Sequence, residues 1–93
     1  MKSYNNFIGI DIGKYSFVVA IYGEKATKEY ENTFSGIHEF IQAHRKVLPQ
    51  ALCILESTGG YEMRLLMRLA QASFAVHRAN TRHVKQFIRS LGN

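Results

Sequence analysis

The sequence predicts an α/β domain: a mixed five-stranded sheet built in the chain order βββαβαβα and flanked by helices. Three observations carry that prediction. Residues 6 to 22, NFIGIDIGKYSFVVAIY, are rich in β-branched and aromatic side chains and are broken by the turn-forming Gly13-Lys14-Tyr15, the signature of two hairpin-linked strands. Residues 51 to 55, ALCIL, are apolar at every position, as a strand covered on both faces requires. Apolar stripes at helical spacing lie before and after that strand, so crossover helices add parallel strands to the sheet that the hairpin begins.

The elements follow in order. Asn6 to Asp11 and Ser16 to Tyr22 are the first two strands, and Gly23-Glu24-Lys25 turns the chain into a third, TKEYENT at residues 27 to 33. Its alternation of charge around one aromatic suits a solvated sheet edge. Ser35 is the expected N-cap of a helix whose inward stripe is Ile37, Phe40, Ile41, His44 and Leu48, ending ahead of Pro49. His44 lies on that stripe without other metal-type donors and is assigned no chemistry. Glu56 closes the apolar strand, and the turn at residues 57 to 60, STGG, leads into a helix from about Tyr61 to Ala72 with Leu65, Leu66 and Leu69 inward. Phe74 to Ala79 is a short last strand. Asn80 or Thr81 then caps a final helix with Val84, Phe87, Ile88 and Leu91 on one face and Arg82, Lys85 and Arg89 on another.

A chain of 93 residues is expected to form one domain, residues 1-93, with a single core. Its longest apolar run, Phe17 to Tyr22, is far short of the roughly 20 residues that span a bilayer. The N-terminus MKSYNN has no signal-peptide apolar region, so no membrane association is expected and the location expected is cytoplasmic. The single cysteine, Cys53, sits inside the apolar strand and is expected to be a buried thiol. The net charge of +5 favours polyanionic partners. From Arg64 onward there are six cations, Arg64, Arg68, Arg78, Arg82, Lys85 and Arg89, and no acidic residue, so the second half carries the positive field.

Asp11 and Glu56 raise the chemical question. Each is a carboxylate ending a strand that otherwise reads as buried, and an ionised carboxylate removed from water needs hydrogen bonds, a cation or an open strand end. If the first and fourth strands are parallel neighbours, the two acids share one end of the sheet, about 4.8 Å apart along the hydrogen-bonding direction. Like charges so close demand a cation between them. Mg²⁺, or Mn²⁺ in its place, suits an all-oxygen site of one or two carboxylates completed by waters and substrate phosphates. Metal-assisted phosphoryl transfer is the expected chemistry. Gly59 and Gly60 at a helix start would let a phosphate backbone approach, with Thr58 beside them and Lys14 across the hairpin turn. Arg82, Lys85 and Arg89 would hold more of the nucleic acid. The structural readings stand beside these: Asp11 making turn hydrogen bonds, Glu56 capping or pairing with Lys14, the glycines serving a tight turn, the cations forming a solvated helix face. No aromatic run interleaves with that basic face to suggest base stacking.

IGIDIGKYSFVVAI near the N-terminus, ESTGGYE at residues 56 to 62 and HRANTRHVKQFIRSLG at residues 77 to 92 together resemble the DEDD-type transposases of bacterial insertion sequences, which include the pilin-inversion site-specific recombinases. The resemblance implies an RNase H-like domain, similar to that of Holliday-junction resolvases, whose four acids bind divalent metal for DNA cleavage and strand transfer. Asp11 matches the first acid and Glu56 the second. The other two are expected just past the last motif, in a Lys-Thr-Asp-x-x-Asp type of segment beyond Asn93. The chain is thus expected to be an N-terminal fragment, inactive alone, of a protein whose partners are DNA, a guide RNA and further copies of itself. Two other readings compete. IGIDIG before a hairpin is also similar to the first phosphate segment of actin-like and sugar-kinase ATPases, and the basic last helix alone would suit a non-catalytic nucleic-acid-binding module.

Overall fold

A computed structural model describes residues 4–56 and 59–79. Five strands form one sheet. Strand β1 (Asn6–Ile12) pairs antiparallel with β2 (Ser16–Ile21), and β2 pairs antiparallel with β3 (Thr27–Glu31). Helix α1 (Phe34–Ala43) then carries the chain across to β4 (Ala51–Glu56), which lies parallel to β1 on its other flank. Helix α2 (Met63–Gln71) makes the next crossover, to β5 (Ala75–Ala79), parallel to β4. The order across the sheet is β3-β2-β1-β4-β5, the mixed α/β arrangement expected from the sequence. The expected final helix, with Arg82, Lys85 and Arg89, lies outside the described residues, as does Thr58.

Alternation along β1 decides what faces what. Ile8, Ile10 and Ile12 point to one face and are almost fully buried, joined there by Cys53 and Leu55 of β4 and by Phe17 and Val19 of β2. Ile37, Phe40 and Ile41 of α1 and Leu65 and Leu69 of α2 close over them, so both described helices cover the same side of the sheet. Phe40 is the hub, edge-on to Phe17 and Tyr30, whose rings stack on one another at 5.7 Å. Burying side chains of this size contributes about 1.5 to 3 kcal/mol each.

Both ends of α1 differ from the sequence reading, and α2 starts at Met63 rather than about Tyr61. The N-cap of α1 is Thr33 rather than Ser35: its hydroxyl accepts a hydrogen bond from the Gly36 amide at 3.0 Å. Capping requires an extended backbone, which Thr33 has and Ser35, already inside the helix, has not. At the other end α1 stops at Ala43, and Leu48 reaches the core from a separate 3₁₀ turn, Leu48–Gln50. Periodicity anticipates the inward stripe, while Pro49 sits where a tighter turn suits its fixed φ.

Candidate functional site

The parallel register between β1 and β4 runs Ile8↔Cys53, Gly9↔Ile54, Ile10↔Leu55. One further step sets Asp11 beside Glu56. Because Ile10 and Leu55 point into the helix-covered core, the next residue of each strand points to the opposite face. Both carboxylates therefore occupy the same end and the same face of the sheet, at neighbouring positions on its two central parallel strands. Glu56 is only 2% exposed, whereas Asp11 is half-buried.

The donor chemistry fits a hard divalent cation: two carboxylates, side by side, with no nitrogen or sulfur ligand required. Among the described residues no group of three or more His, Cys, Asp or Glu side chains converges, so the candidate set there is a pair. Cys53 lies on the core face, and burial pushes its thiol up to about 12. His44 is likewise structural. Its Nε2 lies 3.0 Å from the Tyr30 hydroxyl, and its pKa is lowered, first by burial.

Lys14 occupies the β1–β2 turn, which is closed by the Gly13 amide donating to the Ser16 carbonyl at 2.8 Å, and its ammonium lies over the Tyr15 ring. Gly59 and Gly60 have φ of +66° and +82°, a left-handed conformation that favours glycine. They form the turn before α2 rather than its first residues, since Met63 donates back to the Gly60 carbonyl and the helix starts there. Both glycines serve this turn.

The structure adds residues that sequence reasoning did not assign to the site. Asn32, 6% exposed, donates through Nδ2 to the carbonyls of Gly13 at 3.1 Å and Tyr61 at 3.0 Å, bracing the turn after β1 against the segment after β4. Arg64 donates to the Asn32 carbonyl at 2.8 Å. Together with Lys14, Gly60, Tyr61 and Met63 they line a cleft of about 380 Å³ at the end of the sheet where β1 and β4 finish. Glu62, 1% exposed, receives Arg78 of β5 at 3.2 Å, tying the start of α2 to the last strand. An asparagine just past β3 is the visible signal for the brace, but its partners lie 19 and 29 residues away in the chain.

A mixed sheet in the order β3-β2-β1-β4-β5, with acids ending its two central parallel strands, defines the class as an RNase H-like domain. Residues 8–91 match the family model of IS110-type DEDD transposases, described as transposase, and the chain belongs to that family. No individual curated protein matches it. The match covers the first two motifs and all of the third but Gly92, and is to a transposase rather than to an actin-like ATPase. Among the described residues no helix is long and apolar enough to cross a membrane.

Proposed function

We propose that Asp11 and Glu56 are the first two metal-binding carboxylates of a DNA-cleaving and strand-transferring centre that uses Mg²⁺ or Mn²⁺. The observation that supports this reading is the β1–β4 register, which one step beyond Ile10↔Leu55 brings positions 11 and 56 side by side on one face. Two carboxylates so placed offer adjacent oxygen donors of the kind a hard divalent cation takes. When bound, the cation neutralises charge on a phosphodiester and activates the attacking oxygen. The strands do the positioning: both acids sit on rigid, hydrogen-bonded backbone, with Gly9 and Ile54 holding the register behind them. Lys14, Thr58, Gly59, Gly60, Arg82, Lys85 and Arg89 are proposed to contact the DNA phosphates around this centre. On this reading the chain works in the cytoplasm on DNA, within a homo-oligomer of the full-length protein that also engages a guide RNA.

The test is a Mn²⁺ titration of the isotope-labelled 93-residue chain followed by NMR. Amides at positions 11 and 56 are expected to broaden together, before others, and Asp11→Asn to weaken Mn²⁺ binding at least about tenfold. Broadening at one position without the other would refute a shared ion. In the full-length protein Asp11→Ala should abolish recombination while leaving the circular dichroism spectrum unchanged.

A further inference from the structure

The cleft beside the candidate centre continues into a second hollow on the outer side of the helices. Arg64 lines both: the first with Lys14 and Tyr61, the second with Phe34, Met67, Arg68 and Gln71. The two linings hold three cations and no carboxylate. Arg78 of β5 pairs with Glu62 and is not among these cations. Aromatic rings lie among these cations and face water: Tyr15 is 77% exposed, Phe34 75% and Tyr61 43%. The Lys14 ammonium lies 5.3 Å from the Tyr15 ring centre, and the Arg64 guanidinium 5.2 Å from that of Phe34.

We propose that this continuous surface binds an unpaired DNA strand, its phosphates against Lys14, Arg64 and Arg68 and its bases against Tyr15, Tyr61 and Phe34. The proposal rests on the DNA-processing reading above and names the form of substrate that the site takes. Charge complementarity selects a polyanion. Exposed rings beside cations select one with free π-faces, because the bases of a duplex are already stacked on one another while those of a single strand are open to an aromatic platform. Position favours the strand that is cut: Lys14 and Gly60 follow β1 and β4, the strands that carry Asp11 and Glu56, so the cleft lies at the same end of the sheet as the two acids. Asn32 acts as the positioning residue, since its two donated hydrogen bonds hold the Lys14 turn and the Tyr61 segment at a fixed separation.

The experiment is fluorescence anisotropy of the 93-residue chain with a labelled 15-nucleotide DNA, single-stranded or annealed to its complement, in EDTA across a salt series. The single strand should bind tighter than the duplex. Tyr15→Ala and Phe34→Ala, both at highly exposed positions, should each weaken single-strand binding roughly tenfold with the salt slope unchanged. Lys14→Ala and Arg64→Ala should each lower the slope by about 0.7, as the loss of one phosphate contact requires. Tyr22→Ala, a ring 60% exposed and paired edge-on with Phe7 away from the cleft, should bind as the parent does. Duplex preference, tighter binding of an RNA of the same sequence, or unchanged affinity in the Tyr15 and Phe34 variants would each overturn the proposal, the last pointing to a protein partner for the ridge. Mn²⁺ binding measured on the same samples separates the two readings: metal at positions 11 and 56 without this DNA pattern refutes the surface alone, and the converse refutes the metal centre alone.

Discussion

Gly36, in the first turn of α1, is packed against the end of β3: a Cβ built there would run into the carbonyl and Cα of Glu31. Those are backbone atoms of a paired strand and cannot rotate away. Alanine is the better helix former by about 1 kcal/mol, yet overpacking against fixed backbone costs about 3 kcal/mol. Gly36→Ala is therefore expected to lower the urea midpoint and the Tm despite its favourable propensity, as a denaturation series would register. Cys53 illustrates the opposite case, a side chain whose chemistry is suppressed by its surroundings. Buried completely and with its pKa raised to about 12, it carries negligible thiolate at neutral pH.

Between elements, the contact of α1 with β3 is polar as well as aromatic. His44, the C-cap of α1, meets the Tyr30 hydroxyl, and both rings pack on Phe40. The His44 pKa is depressed chiefly by burial; Glu24 opposes the shift and Lys28 reinforces it. The folded state thus prefers neutral imidazole, and the unfolded chain, near the usual value of about 6.5, takes up its proton first as pH falls. The stabilisation from this residue is complete above that value and is lost as pH drops through the lower folded pKa. Urea melts at several pH values should show the parent losing more stability on acidification than His44→Gln, which retains a polar group for Tyr30. Equal losses in the two proteins would remove His44 from the acid response.

At the scale of the molecule, the described residues build one core, on one side of the sheet, that holds five strands together. Phe40 touches both hairpin-side aromatics and belongs to the cluster that includes Ile10 and Leu65, so its loss loosens the contacts of α1 with β2 and β3 together. Phe40→Ala should cost about 3 to 5 kcal/mol. Against a total stability of about 5 to 15 kcal/mol for a domain of this kind, that is a large share, and a thermal melt followed by circular dichroism should show Tm lowered by more than about 10 °C. The same arrangement concentrates burial on the helix-covered face and leaves the acids on the other. Chemistry placed there does not compete with core packing.

Much of this was legible in the residue order itself. Strand and helix identities follow from periodicity, a local property, and so do the outward positions of Asp11 and Glu56, since a strand residue next to a buried isoleucine or leucine faces the other way. The expected parallel pairing of the first and fourth strands supplied the expectation that the two acids act together, and the family resemblance matched them to its first two acids. Tertiary structure alone decided the rest. The cap at Thr33 depends on where the chain first bends against β3, and the Leu48 turn on how Pro49 meets the core. The cleft gathers Lys14, Asn32, Tyr61 and Arg64 from three separate connections of the sheet. Sequence inspection found no aromatic and basic residues interleaved along a helix; the fold interleaves them in space, because side-chain proximity across a sheet end depends on strand order and register rather than on spacing along the chain.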